Sequence, residues 1–153
     1  MDDRFAIIPY RTRFYEKMSS GTVRNADFLD SSYKIPGGGW LSSAEDMARF
    51  EVAILNDKLI RRSSRDLMWT PLKPSDGSKD PYALGWGWDK NEENHQVAGV
   101  GHTGGQQGTS TAFVIAPERR AGVVVLTNME DQPASDLARE ILNILVAGPE
   151  NKL

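Results

Sequence analysis

Four apolar runs crowd into residues 82–128: "YALGWGWD", "HQVAGVGHTGG", "STAFVIAP" and "AGVVVLTN". Each is rich in aromatic or β-branched residues and is bounded by Gly, Pro, Asn or charged residues, which is how strands separated by turns read. Because the turns are short, an antiparallel meander is the economical arrangement.

What flanks the meander is helical. Ser42 followed by Glu45 makes a capping box before "EDMARFEVAILN", where Met47, Phe50 and Ile54 recur at helical spacing with Ala48 and Leu55, leaving Glu45, Arg49 and Asp57 to water. A second short helix is expected to begin at Ser63 or Ser64 and to end before Pro71. A closing helix is expected from Pro133, with Leu137, Ile141, Leu142 and Leu145 as its apolar stripe and Gly148-Pro149 as its end. The first part of the chain, "RTRFYEKMSSGTVRNADFLDSSYK", reads as an irregular hairpin about Ser20-Gly21. Residues 1–41 are thus a hairpin and glycine loop, 42–81 a helical segment, and 82–153 strands plus a closing helix. Helices before and after a run of strands make an α+β fold, with an antiparallel sheet of about 3–4 strands and flanking helices.

Composition narrows the functions open to such a chain. The 153 residues suit one domain, and 39% hydrophobic content supplies a core. Eighteen basic against 21 acidic residues, for a net charge of −3 without long runs of one sign, leave no footprint for nucleic acid or anionic lipid. No apolar run approaches the roughly 20 residues that span a bilayer. The absence of cysteine removes disulfides and thiolate metal sites and leaves the compartment open.

The motif that invites chemistry is "GHTGGQQG", residues 101–108. Read alone, it is a glycine-rich strand end or hairpin with a solvated histidine. His95 and His102, seven positions apart, fall on opposite faces of a regular strand with no carboxylate cluster, so a metal site is not expected. "PGGGW" lacks the Gly-Lys-Ser/Thr that completes a phosphate cradle. Ser31-Ser32-Tyr33-Lys34 matches Ser-x-x-Lys in letters, yet that chemistry needs both residues on successive turns of one helix, and Pro36 with three glycines follows at once.

Taken together, "GGGWLSSAEDMARF", "LMWTP" with "YALGWGW", "GHTGGQQGTSTAFVIAPE" and "AGVVVLTNMED" resemble the carboxyl-terminal part of the serine β-lactamase-like family. That family includes class C β-lactamases, D-alanyl-D-alanine carboxypeptidases, penicillin-binding esterases and a mitochondrial serine protease branch. "DSSYKIPGGGWLSS" and "HTGG" look most like the last branch. The resemblance covers about Arg11 to Val146 and implies the carboxyl-terminal portion of a β-lactamase/transpeptidase-like fold.

Family members place three motifs around one cleft: Ser-x-x-Lys, Tyr-x-Asn or Ser-x-Asn, and Lys/His-Thr/Ser-Gly on a strand. His102, Thr103 and Gly104 match the third, with His where many β-lactamases carry Lys. Tyr10, Tyr15, Tyr33 and Tyr82 are never followed two residues on by Asn. The resemblance therefore implies a carboxyl-terminal fragment of a larger serine hydrolase whose nucleophile lies upstream, with 1–153 forming one incomplete domain. It further implies that the Gly105 NH serves an oxyanion hole and that His102 is a proton-responsive donor. Thr103 and Gly104 would contact a small-molecule or peptide substrate, with no cofactor and no metal. A non-catalytic assembly module on the same fold is the alternative, and an exposed sheet edge would favour self-association. The compartment of this chain is left open, the resemblance implying cell envelope or secretion for bacterial members and mitochondria for the eukaryotic branch.

Overall fold

The computed structural model describes residues 3, 5–28, 30, 31, 33–78, 82–89 and 99–147. Its centre is a four-stranded antiparallel sheet in which β3 (Gly87–Asp89), β4 (Gly99–Gln106), β5 (Thr109–Ala116) and β6 (Ala121–Leu126) lie in sequence order. The meander expected from the four apolar runs is therefore present. Its first run is shorter than the sequence suggested. Tyr82 makes only an isolated bridge to Gly87, because the Ala83 NH donates to the Trp86 carbonyl at 2.7 Å and Gly85 takes φ +78°, which turns the chain inside "YALGWGWD". His95 and its neighbours in the second run lie outside the described residues.

A small hairpin, β1 (Tyr15–Lys17) with β2 (Val23–Asn25), closes through Gly21 at φ +85° as the Ser20-Gly21 signal suggested. It is fastened to the segment after β6, where the Tyr15 NH donates to the Asn128 carbonyl at 2.9 Å. Three helices follow the expected order: α1 (Ala44–Leu55), α2 (Arg62–Met68) and α3 (Ala134–Ala147).

The strand alternation sorts the sheet into two faces. On one, Val100 and Ile115 are fully buried with Ile54 and Leu55 of α1, Trp69 and Trp86, and Phe113 packs against them. The rings of Trp69 and Trp86 meet edge-on at 5.8 Å, a geometry that suits the aromatic quadrupoles. On the other face Ala112, Ala116 and Val123 pack against Ala134, Ala138 and Leu142 of α3. Three layers result, α1 and α2, sheet, α3.

Local details differ from the sequence reading in three places. The cap of α1 is Ser43, whose Oγ accepts the Asp46 NH at 3.1 Å; Ser42 lies one residue before it, and Glu45 instead pairs with Arg49 at 2.6 Å. On α1, Ala48 is exposed and Glu51 is buried, because the helix presents its Ile54/Leu55 side to the sheet and Glu51 falls on it opposite Gly122. On α3, small residues set the contact: Ala134, Ala138 and Leu142 are buried four positions apart, Ile141 packs beside them, and Leu137 and Leu145 are exposed. Alanine lets the helix lie close to the sheet, so the larger leucines rotate outward. Gly148-Pro149 lies outside the described residues.

Candidate functional site

The site begins with which way the backbone of β4 points. The Thr127 NH donates to the Ser110 carbonyl at 3.0 Å, extending the β5–β6 register by one pair, so Ser110, Ala112 and Val114 turn their backbone groups toward β6. Alternation then gives Thr111 and Phe113 to β4, where their partners are Gly104 and His102. The backbone groups of Thr103 and Gly105 consequently point away from the sheet. β3 pairs only with Gly99–Gly101, so among the described residues no strand covers the outer edge of β4 from His102 onward.

Side chains alternate in the same way. His102, Gly104 and Gln106 lie on the α1/α2 face, Thr103 and Gly105 on the α3 face, and His102 to Gly105 are all exposed. The strand stands between two cavities. One of about 360 Å³ is lined by His102 and Thr103 with Tyr82, and by Ser135 and Arg139 of α3. The other, of about 700 Å³, is lined by Gly104, Gly105 and Gln106 with the glycine loop at Gly37 and Gly38, Trp40, Phe28 and Arg11.

Two partners hold the imidazole. His102 Nε2 is 2.9 Å from the Tyr82 hydroxyl, the rings meeting edge-on, and Nδ1 is hydrogen-bonded to the Thr103 carbonyl. At the far end of the motif, Lys34 Nζ donates to Gln106 Oε1 at 3.1 Å, which ties the segment before the glycine loop to the strand. Ser31 lies in no helix, and the amine that letter-matching pairs with it is directed at Gln106.

Glycine at Gly104 and Gly105 has different reasons. A Cβ at Gly104 would stand 2.5 Å from Thr111 Oγ1, whereas one at Gly105 meets nothing within 4 Å. Gly105 is thus not demanded by packing.

A family model described as Beta-lactamase matches residues 3–147. The chain belongs to the beta-lactamase family. Among curated proteins it is 30% identical to the human serine beta-lactamase-like protein LACTB, mitochondrial, over 73% of this chain and 25% of that protein. It is 29% identical to penicillin-binding protein 4* of Bacillus subtilis over 63% of this chain and 21% of that protein. The chain therefore spans about a quarter of the length of the curated relatives it matches. Among solved structures, a D-stereospecific amidohydrolase from Streptomyces sp. superposes with TM-score 0.67 at 24% identity over 90% of this chain and 40% of that one. A penicillin binding protein from Bacillus halodurans does so with TM-score 0.68 at 19% identity, over 92% and 42%.

Within this beta-lactamase-family chain, the residues singled out from sequence sit on one strand, but their side chains open on opposite faces. They come together only along the backbone edge that no described strand covers. Sequence reading missed Tyr82, Lys34, Ser135 and Arg139 as neighbours of the motif. Lys34 and Gln106 are 72 positions apart, and Tyr82 and His102 are 20 apart, so no local pattern joins them. Among the described residues, no group of three or more His, Cys, Asp or Glu could hold a metal ion, and no helix is long and apolar enough to cross a membrane.

Proposed function

We propose that this chain is the carboxyl-terminal part of a serine hydrolase, in which β4 forms the wall of a cleft whose nucleophile is supplied by residues outside these 153. The reaction is acyl transfer through a serine ester to water, with a β-lactam, a D-alanyl peptide, another peptide or an ester as substrate. The Gly105 NH, aimed outward from the edge, would stabilise the oxyanion, and an extended substrate would lie antiparallel along that edge. Preorganised donors of this kind contribute about 3 kcal/mol each in hydrolases where they have been removed. Thr103 would meet a substrate carboxylate or carbonyl, in the cavity that it shares with Ser135 and Arg139.

The observation that carries the reading is the exposed edge of His102 to Gly105, which no strand among the described residues covers, in a chain of this family. Covalent labelling with a fluorescent penicillin tests it. The complete protein should be labelled at a serine upstream of these residues and the 153-residue chain should not be. Labelling at Ser31 or Ser32 would overturn the assignment of the nucleophile. Because histidine replaces a constant ammonium, the complete enzyme should hydrolyse neutral peptides or esters faster than nitrocefin.

A second reading, a non-catalytic assembly module, is favoured by a different surface. Among the described residues only β5 pairs with β6, and Leu137, Ile144 and Leu145 are exposed on α3. Such an edge and apolar patch favour association with another sheet or chain. A strictly monomeric species in analytical ultracentrifugation would count against it.

A further inference from the structure

We infer that Tyr82 is a positioning residue for His102, and that the pair Tyr82 and Thr103 carbonyl holds the neutral imidazole in the tautomer with its proton on Nδ1. A carbonyl oxygen can only accept, so the hydrogen bond from Nδ1 to the Thr103 carbonyl requires the proton on Nδ1. Nε2 then carries the lone pair, and at 2.9 Å it accepts from the Tyr82 hydroxyl. In this form no ring N–H remains to donate to a ligand. Neutral His102 acts at the cleft as a dipole held by its neighbours, and the proton-responsive donor that the resemblance implied would be its protonated form.

Tyr82 is itself held from two sides. Its bridge to Gly87 sets it beside β4, since Gly87 pairs with Gly101, the residue before His102. The Leu72 NH donates to its carbonyl at 3.0 Å. A tyrosine placed by backbone contacts on both sides can fix the ring orientation of its partner, in the way that an outer carboxylate fixes a working histidine.

The functional meaning rests on the cleft-wall reading above, but the tautomer can be measured on the 153-residue chain without any reaction. The measurement is long-range ¹H–¹⁵N correlation of the imidazole at alkaline pH, with His95→Gln to leave one histidine. Expected is a protonated-type Nδ1 and an unprotonated-type Nε2, opposite to the preference of free histidine. In Tyr82→Phe both shifts should move toward the average of two exchanging tautomers, while the amides of β5, β6 and α3 stay in place. Incorporating 3-fluorotyrosine at position 82 alone, a stronger donor as long as the pH stays below the ionisation of the fluorophenol, should move the Nε2 resonance.

A proton on Nε2 in the unsubstituted chain, ring shifts unmoved by Tyr82→Phe, or an Nε2 resonance indifferent to fluorination would each overturn the inference. In the complete enzyme, Tyr82→Phe should lower kcat about tenfold with KM little changed, as misorientation of a reacting group does. Ring shifts that respond beside an unchanged kcat would overturn the catalytic role while the tautomer assignment stands. Absence of hydrolysis in the unsubstituted complete protein would overturn the cleft-wall reading instead.

Discussion

The two halves of β4 do opposite work. At Val100 and Gly101 the strand is paired on both edges, and Val100 is fully buried against Ile115. From His102 to Gln106 it is paired, among the described residues, on one edge only, and its first four residues are exposed. The rigid half fixes the open half, so a backbone NH such as that of Gly105 is aimed without needing a side chain to aim it. A site on a strand edge inherits its precision from the sheet behind it.

Breaking the paired half should be costly. Ile115→Ala, which empties the centre of the core, should lower stability by about 4 kcal/mol, and Gly101→Ala by about 3 kcal/mol. The second follows because a Cβ at Gly101 would stand 2.1 Å from the Phe113 carbonyl oxygen, and backbone cannot yield as a side chain can. Urea denaturation of each variant measures both, and an unchanged midpoint for Gly101→Ala would refute the close approach of β4 and β5.

A smaller effect comes from the buried carboxyl on α1. Burial pushes Glu51 up to about 7, from 4.5. The folded state therefore holds this proton more tightly than the unfolded state. The associated stability is fully present below pH 4.5 and is lost as the pH rises to about 7. Glu51→Gln should flatten stability across that window and raise it at pH 8 by about 2 kcal/mol, read from denaturation curves at several pH values. A variant whose stability still falls between those pH values would assign the dependence to another group.

The smallest effect on stability is expected in the open half. Gly105→Ala should change stability by less than about 0.5 kcal/mol, since its Cβ meets open space. In the complete enzyme the same methyl would stand where an acyl group approaches, so kcat/KM should fall at least about tenfold, a loss of about 1.4 kcal/mol. Equal losses of fold and activity would erase the contrast between the two halves.

Much of the fold was legible because local signals agreed with it. Alternating apolar runs with short turns required antiparallel neighbours, and the one resemblance that joined "GGGWLSS" to "HTGG" led to the family that the chain belongs to. The misreadings of the apolar helix faces share one cause. Helical periodicity reports which residues are apolar and is silent on how closely a neighbour approaches, so Leu137 and Leu145 were placed inward where Ala134 and Ala138 make the contact. It equally gave no sign that Glu51 would be buried. The adjacent serines Ser42 and Ser43 each precede an acidic residue by three positions, and only the direction of the backbone NH groups distinguishes the cap.

By itself the sequence determined the order of elements, the antiparallel pairing and the place of the His-Thr-Gly-Gly motif on a strand, all properties of short windows. Tertiary structure decided which edge of that strand is left open among the described residues, which groups meet the two ring nitrogens of His102, and that Lys34 meets Gln106 rather than Ser31. Those depend on contacts between residues up to 72 positions apart, which no local propensity encodes because they exist only once the sheet has closed against its helices.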